Sequence, residues 1–352
     1  MHVYIGTYTQ DRTEGLYHFT FDTKTGALTP RGAYGGVVNP SFLAPHPTGP
    51  YLYAVAEAGR NDGLTAFAID ESTGILTKLN TQTTPGRAAC HVAIDPAGTT
   101  AVVSYYASGS VASFPIHDDG RLGPAASDIR HVGSSVNPER QEGPHAHSTT
   151  FDPSGRFAVT ADLGLDQLLV SVLDPATSEL VPHDPPFARV HPGAGPRHFA
   201  FHPTLAVAYV INELDATVTT LDWDAEAGKL EPRQTIGTLP EEFDGRRSTA
   251  EVVVHPNGKF LYGSNRGHDS LVIYGIDPDD GALSLVGFTP SGGQEPRNFN
   301  LDPSGRWLIA CNQNSHDVQV YSVDGATGRL SSVGEPVAVP MPVCVKFRRL
   351  PG

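Results

Sequence analysis

The stretch that decides the fold begins at Arg297 and reads Arg297-Asn-Phe-Asn-Leu301, Asp302-Pro-Ser-Gly305, Arg306-Trp-Leu-Ile-Ala-Cys311 and Val318-Gln-Val-Tyr-Ser-Val323. The first and last of these segments alternate between polar and apolar side chains, which is typical of half-buried β-strands. The second is a Pro-x-Gly turn, the third is apolar, and a further strand-like segment begins at Leu330. Four short strands separated by turns within about 50 residues are the unit of a β-propeller blade.

The same pattern repeats along the chain. An Asp-Pro or His-Pro turn occurs six times, at Pro47, Pro96, Pro153, Pro203, Pro256 and Pro303, and Gly follows two residues later in all copies except the one with Leu205. These prolines are 49, 57, 50, 53 and 47 residues apart. A second marker, usually Gly two residues before Leu, occurs seven times, ending at Leu28, Leu76, Leu122, Leu180, Leu230, Leu283 and Leu330. The repeat length and the seven copies predict seven blades.

The two ends of the chain complete each other. Residues 1–40 supply only three strands, whereas the C-terminus carries an additional strand-like segment, Pro342-Val-Cys-Val-Lys-Phe347. If this segment forms the innermost strand of blade one, the ring closes and no sheet edge remains exposed. An open solenoid would leave the segment without a partner. We therefore predict an all-β fold, a seven-bladed β-propeller in a single domain over residues 1–352, with the C-terminal strand completing blade one.

Composition excludes several classes of partner. The chain has 24 Lys and Arg against 38 Asp and Glu, a net charge of −14, so it lacks the cationic surface that nucleic acid or an anionic membrane requires. No apolar run approaches the roughly 18 residues of a membrane span, and the N-terminus does not resemble a signal peptide. The three distant cysteines argue against a disulfide framework. We expect a cytoplasmic protein that binds neither nucleic acid nor membrane, and the sequence leaves the oligomeric state open.

Equivalent positions in the blades point to one shared site. In a propeller, the start of each first strand and the end of each antiparallel second strand lie at the same mouth of the central channel. Six residues before the turn proline stand Ser41, Cys90, His147, Arg197, Ala250 and Arg297. Ten residues after it stand Glu57, Tyr106, Leu163, Glu213, Arg266 and Gln313. Charged side chains are not needed to pack blades together, so the predicted site consists of His147, Arg197, Glu213, Arg266 and Arg297.

The residue types suggest roles at this site. The guanidinium groups of Arg197, Arg266 and Arg297 suit a carboxylate or phosphate, and we predict them to bind substrate. Glu213 and His147 can move protons near neutral pH and are the predicted catalytic residues. An arginine beside Glu213 would lower its pKa and keep it a base. The structural alternatives are that Arg197 and Arg297 bond to blade backbones and that Glu213 forms an inter-blade salt bridge.

Other histidines have different interpretations. His145 and His147 lie two residues apart, on one side of a strand, so a metal pair is conceivable. No third ligand is obvious in the sequence, and we predict no metal and no other cofactor. Which of the two imidazoles acts stays open. Three further histidines align with aspartates at the Pro-x-Gly turn, where a turn-capping role is predicted; they are His46, His202 and His255.

Two segments carry a family resemblance. Gly193-Ala-Gly-Pro-Arg-His-Phe-Ala-Phe-His-Pro203, followed by Tyr209-Val-Ile-Asn-Glu-Leu214, resembles the seven-bladed lactonase family of propeller-type 6-phosphogluconolactonases and fungal carboxy-muconate cyclising enzymes. Leu261-Tyr-Gly-Ser-Asn-Arg266 and Glu295-Pro-Arg-Asn-Phe-Asn300 resemble it as well, so the similarity covers essentially the whole chain. It implies a metal-independent site with a His, a Glu and two Arg, which fall on His147, Glu213, Arg197 and Arg266. Arg297 also matches a family position, without an implied role.

The resemblance does not fix the reaction, because members of the family differ in substrate. The first hypothesis is hydrolysis of a small anionic sugar lactone, above all 6-phosphogluconolactone to 6-phosphogluconate in the pentose phosphate pathway. Water would attack the ring carbonyl with Glu213 or His147 as base, without a metal. The alternatives are cycloisomerisation of a muconate-type diacid, a non-catalytic propeller that binds a protein partner, and a calcium-dependent lactonase of another propeller type.

Overall fold

The computed structural model describes residues 1–10, 14–59 and 62–348, and all regular elements in these residues are β-strands. Across the described ranges, 28 strands form seven antiparallel sheets of four strands each. No helix in this part of the chain is long and apolar enough to cross a membrane. The prediction of an all-β seven-bladed propeller is confirmed.

The strands of the first half are short and follow one another blade by blade. The N-terminal segment forms β1 (His2–Thr7), β2 (Glu14–Phe21) and β3 (Leu28–Gly35). Blade two consists of β4 (Leu43–Pro45), β5 (Tyr51–Ala56), β6 (Gly63–Ile69) and β7 (Leu76–Thr83). Blade three consists of β8 (Ala89–Ile94), β9 (Thr100–Tyr105), β10 (Ser110–Pro115) and β11 (Ser127–Arg130). Blade four consists of β12 (Ala146–Phe151), β13 (Phe157–Asp162), β14 (Gln167–Asp174) and β15 (Glu179–Arg189).

The second half continues the same order. Blade five consists of β16 (Pro196–Phe201), β17 (Val207–Asn212), β18 (Thr217–Asp224) and β19 (Lys229–Gly237). Blade six consists of β20 (Ser248–Val254), β21 (Phe260–Arg266), β22 (Ser270–Ile276) and β23 (Leu283–Pro290). Blade seven consists of β24 (Pro296–Leu301), β25 (Trp307–Asn312), β26 (Asp317–Val323) and β27 (Leu330–Ala338). The last strand is β28 (Pro342–Arg348).

The C-terminal strand closes the ring as predicted. β28 pairs antiparallel with β1, with Val345 opposite Ile5, and it forms the inner edge of the sheet that contains β1, β2 and β3. The first strands of the blades contact one another in cyclic order: β28, β4, β8, β12, β16, β20, β24 and β28 again. The second strand of this sheet, β1, is buried throughout, whereas the outermost strand, β3, is mostly exposed. Apolar side chains therefore pack between neighbouring sheets, and polar residues are left for the rim and the channel.

The turns that begin with histidine link their blades to neighbouring ones. The ring of His46 accepts a hydrogen bond at Nδ1 from the backbone of Gly49 and bonds through Nε2 to the carbonyl of Gly98 in the following blade, at 2.7 and 2.8 Å. His202 and His255 repeat this arrangement toward the turns of their neighbouring blades. These bonds confirm the capping role predicted for the turn histidines.

The second sequence marker also connects neighbouring blades. Buried tyrosines on second strands donate hydrogen bonds to the carbonyls of marker glycines one blade further on; the pairs are Tyr4 with Gly74, Tyr53 with Gly120, Tyr209 with Gly281 and Tyr262 with Gly328. The marker glycines adopt positive φ, for example +76° at Gly74, a conformation that glycine reaches without strain. At the exception, Ser178, the bond comes from the hydroxyl of Thr100 to the serine Oγ, at 2.8 Å.

Candidate active site

A polar cavity of about 400 Å³ lies at one mouth of the channel, where first strands begin and second strands end. It is lined by Glu57, Cys90, Tyr106, Arg140, His147, Glu213, Arg246, Ser248, Arg266 and Arg297. The fifth predicted residue, Arg197, lines a small cavity immediately deeper in the channel, which shares Glu57, Cys90, His147 and Arg297 with the first. The structure thus brings together all five residues that the sequence selected.

A β-bulge positions the residue at the start of the first strand. In blade four, Ala146 pairs with Asp162 and Ser148 with Ala161, so His147 is an extra residue between two pairs. Arg197 and Arg297 are the extra residues at the same place in their blades. A bulge locally bends the strand and re-aims a side chain. Repetition of the bulge around the ring directs these side chains into the channel instead of between the sheets.

Glu213 is the centre of the charge arrangement. Its Oε1 accepts a hydrogen bond of 2.7 Å from Arg140, and its Oε2 accepts one of 3.0 Å from Nε of Arg197. Nη2 of Arg266 lies 2.9 Å from the same Oε2. Burial by itself would raise the pKa of Glu213, but the three guanidinium groups outweigh that effect and lower the pKa to about 2. The carboxylate is therefore ionised at all physiological pH values and is a weak base.

The arginines are also anchored to the backbone of blade six. Arg197 donates to the carbonyl of Ala250 at 2.7 Å, and Arg266 donates to the carbonyl of Thr249 at 2.7 Å. Arg297 instead donates to the hydroxyl of Tyr8 at 3.0 Å. The structural alternatives considered from the sequence thus hold in part, because Arg197 bonds to a neighbouring blade and Glu213 connects residues of different blades. These anchors fix each guanidinium plane and leave its remaining N–H groups directed at the site.

His147 contributes a neutral imidazole. The side chain is buried, with the ring of Tyr106 edge-on at 5.6 Å and the ring of His198 at 5.5 Å. Burial first, and then the charge of Arg197, holds the pKa of His147 well below its ordinary value. Its Nδ1 is buried and has no hydrogen-bond partner among the described residues. A neutral ring with a free nitrogen can donate or accept a hydrogen bond at the site, and its two nitrogens can relay a proton.

His145 is held away from the cavity. Its ring stacks on Tyr106 at 4.3 Å, and its Nδ1 bonds to the carbonyl of Tyr106 at 2.9 Å. Its Nε2 lies 3.4 Å from a carboxylate oxygen of Glu142. The imidazole at the cavity is therefore that of His147. In the described ranges, no group of three or more His, Cys, Asp or Glu side chains is placed to hold a metal ion.

Sequence reasoning passed over several cavity residues. Arg140 comes from the connection between β11 and β12 and bonds to both Glu213 and Tyr106. Its only signal in the sequence is the 57-residue spacing between Pro96 and Pro153, the longest of the five. Glu57 and Tyr106 stand in the same aligned position as Glu213, so the repeat alignment already contained them.

The cavity carries a positive charge within an acidic protein. Five guanidinium groups belong to it, those of Arg140, Arg197, Arg246, Arg266 and Arg297. The carboxylates close to them are Glu57, Glu213 and Glu295, and Glu295 pairs with Arg246 and lies 3.8 Å from Arg266. The cationic groups thus outnumber the anionic ones although the whole chain has a net charge of −14. Such a focused potential attracts an anionic ligand.

Comparisons with known proteins identify the family. The family model described as Lactonase, 7-bladed beta-propeller, matches residues 2–347. The chain is 36% identical over 345 residues to the 6-phosphogluconolactonase of Bacillus subtilis (strain 168), covering 98% of this chain and 97% of that protein. It is 33% identical over 306 residues to the 6-phosphogluconolactonase of Formosa agariphila, covering 85% and 86%. The solved structure of a periplasmic gluconolactonase from Pseudomonas aeruginosa superposes with a TM-score of 0.94 at 30% identity, covering 99% of both chains.

The chain forms a closed propeller with a guanidinium-lined cavity at one mouth of the channel. This architecture and these matches define the class of protein as a β-propeller enzyme of the lactonase type. The chain belongs to the family of seven-bladed β-propeller lactonases. The predicted family and enzyme class are confirmed. The cytoplasmic location stays a prediction, since one of the relatives is described as periplasmic.

Proposed function

We propose that this protein hydrolyses an anionic sugar lactone, with 6-phosphogluconolactone as the substrate and 6-phosphogluconate as the product, in the pentose phosphate pathway. The excess of guanidinium groups over carboxylates in the cavity carries this proposal, because a phosphorylated lactone is an anion of matching charge. The names of the Bacillus and Formosa relatives support the same substrate. The cavity volume of about 400 Å³ is sufficient for a small sugar derivative.

In this proposal the arginines share two tasks. Arg140, Arg246 and Arg297 line the open part of the cavity and would bind the phosphate. Arg197, which lines the small cavity, and Arg266, which lines the main one, are both anchored on backbone carbonyls and would stabilise the negative charge that develops on the carbonyl oxygen during water attack. Groups fixed before the reaction need no reorganisation when that charge appears.

We assign proton transfer to His147 and a structural task to Glu213. A carboxylate with a pKa of about 2 that already accepts from three guanidinium groups has little tendency to take a proton. Its negative charge instead holds Arg140, Arg197 and Arg266 together. The neutral ring of His147, with Nδ1 free of partners among the described residues, can hydrogen-bond to the attacking water or to the leaving ring oxygen.

We further propose that catalysis needs no metal. Guanidinium groups dominate the cavity, and their charge opposes the binding of a divalent cation. The same groups supply the electrostatic stabilisation that a metal would otherwise give to the oxyanion.

The test is an activity screen of purified protein. 6-Phosphogluconolactone, its unphosphorylated analogue and a muconate-type diacid are assayed side by side, with and without chelator, against the spontaneous rate. We expect accelerated opening of the phosphorylated lactone that chelator does not reduce. Preference for the diacid would establish cycloisomerisation instead, and chelator-sensitive activity would establish a metal enzyme. Rates equal to the spontaneous reaction would overturn the proposal.

A further inference from the structure

Three buried polar atoms face a very small cavity beneath the main one. This cavity has a volume of about 10 Å³, and its lining includes Ser41, Glu57 and His147. Oγ of Ser41, Oε2 of Glu57 and Nδ1 of His147 are all buried, and none of them makes a hydrogen bond of ordinary geometry within residues 1–10, 14–59 and 62–348. The hydroxyl groups of Ser41 and Tyr8 approach the Glu57 carboxylate closely enough to lower its pKa, so Ser41 and Glu57 face each other across the cavity. The three residues come from three different segments of the chain, so their convergence is a property of the ring.

Buried polar atoms are rarely left without a partner in folded proteins. A cavity that accepts one probe sphere, roughly 10–15 Å³ in this measure, can hold a water molecule if two to four polar groups face it. The volume of the cavity is at the lower limit for one water molecule. The three polar groups on its walls provide enough hydrogen-bond partners for that water. It also shares Glu57 and His147 with the main cavity, so a water there would be next to the bound lactone.

We propose that this small cavity binds the attacking water and that Glu57 is the base that accepts its proton. The proposal rests on the lactone hydrolysis proposed above. His147 and Ser41 would hold the same water by hydrogen bonds and direct its lone pair at the carbonyl carbon. Glu57 thereby becomes a catalytic residue in addition to His147.

The step balances without any co-reactant. The water oxygen forms a bond to the carbonyl carbon while one water proton passes to the Glu57 carboxylate, and the carbonyl electron pair moves to the oxygen. When the carbonyl re-forms, the bond between the carbon and the ring oxygen breaks. The ring oxygen then receives a proton from the acid form of Glu57, relayed by His147, and becomes the free hydroxyl of the product. The new carboxylic acid ionises to solvent.

Two other cavity residues are less suited to this chemistry. Glu213 has both oxygens occupied by guanidinium groups. Oε2 of Glu57 makes no hydrogen bond of ordinary geometry to any described residue, and burial raises the pKa of Glu57 above its ordinary value in spite of the nearby hydroxyl groups of Ser41 and Tyr8. A carboxylate with a raised pKa is a stronger base. Cys90 lines both cavities, but burial raises the pKa of its thiol to about 12, so it is not a nucleophilic thiolate near neutral pH.

The first test compares variants in the lactone assay. Glu57→Gln keeps the shape and removes the base, so we expect kcat to fall by about 100-fold or more with KM changed by less than about threefold. Glu57→Ala should regain activity with added formate, a small carboxylate that can take the vacated position. Glu142→Gln is the matched control, since Glu142 is exposed, lies near the same mouth and does not line either cavity. It should keep the wild-type kcat.

The second test is a high-resolution crystal structure of the wild-type protein, which does not depend on the variants folding. Density for a water within hydrogen-bond distance of Glu57, His147 and Ser41 supports the proposal, and a dry cavity overturns it. Glu57→Gln with nearly wild-type kcat, or a Glu57→Ala variant that formate does not restore, also overturns it. Wild-type protein without lactonase activity would instead refute the proposed function, whereas an active wild type with an active Glu57→Gln refutes only the role of Glu57.

Discussion

Replacing Glu213 with glutamine tests whether its charge holds the arginine cluster together. The substitution keeps an oxygen that accepts hydrogen bonds but removes the negative charge beside the three guanidinium groups. Arg197 and Arg266 are only 2% and 6% exposed, so solvent cannot replace that charge. Removing one partner of a buried ion pair costs about 3–5 kcal/mol, whereas the more exposed Arg140 adds little.

A cost of this size is measurable as a shift in thermal unfolding. One kcal/mol moves Tm by roughly 2–4 °C in proteins of 150–250 residues and by less in longer chains, so we expect Tm to fall by about 5–10 °C. Inorganic phosphate should raise the Tm of the variant more than that of the wild type, because the cationic cluster lacks its internal anion. A ligand at 100 times its Kd stabilises the folded state by about 2.7 kcal/mol. Scanning calorimetry with and without phosphate measures both effects.

Asp215→Asn is the matched control for this experiment. The substitution is of the same kind and lies two residues away, but the carboxylate pairs with His191 and Thr217 and with no arginine of the described ranges. It should cost less than about 1 kcal/mol and leave the response to phosphate unchanged. If Glu213→Gln unfolds within about 2 °C of the wild type and responds equally to phosphate, the carboxylate does not organise the guanidinium groups. A loss of kcat at unchanged Tm would return Glu213 to the role of base.

Three further outcomes are expected. Arg140→Met should change the free energy of unfolding by less than about 1 kcal/mol, because the side chain is 42% exposed. Since Arg140 is proposed to bind the phosphate, steady-state kinetics should show a larger rise in KM for the phosphorylated lactone than for the unphosphorylated one. The pKa of Glu213 is lowered to about 2 in the folded state, so this group stabilises the fold by ~3 kcal/mol above its unfolded pKa of about 4.3 and that contribution is lost as pH falls toward 2. Urea unfolding between pH 6 and pH 2, with Glu213→Gln lacking this dependence, measures it. Ending the chain before Pro342 removes β28 and exposes an edge of β1, and circular dichroism should then show no cooperative unfolding; a wild-type transition would contradict ring closure as the source of stability.

The fold was predictable because each sequence marker has the same physical task in successive blades. Tyr4 and Tyr262 donate to the carbonyls of Gly74 and Gly328, so a glycine at positive φ must recur wherever a neighbouring blade docks in this way. Ser178, which replaces the marker glycine in blade four, still forms a hydrogen bond to the neighbouring blade. The donor there is the hydroxyl of Thr100 instead of a tyrosine hydroxyl. A constraint that repeats at a fixed interval is visible in a single sequence without any alignment of relatives.

The bulges and the loop residue were not predictable in the same way. The extra residue near the start of the first strand occurs at His147, Arg197 and Arg297 alike, so it changes no spacing between repeats and leaves no trace in the alignment. Arg140 lies outside the repeated strands, and the long interval between Pro96 and Pro153 shows only that residues were inserted. Where an inserted side chain points depends on packing, which spacing does not encode.

The electrostatics of the site show where sequence reasoning ends. Glu57 and Glu213 are the same residue type at the same aligned position, yet burial raises the pKa of Glu57 and three guanidinium groups lower that of Glu213 to about 2. The difference comes from partners that other segments of the chain deliver to each position. The alignment could therefore place carboxylates at the mouth of the channel but could not assign the base. It favoured Glu213, which is the weaker base of the two because its environment lowers its pKa. The repeat thus sets the positions of Glu57 and Glu213, whereas contacts between blades set their proton affinities. Moving the guanidinium groups from Glu213 to Glu57 would therefore exchange the roles of the two carboxylates.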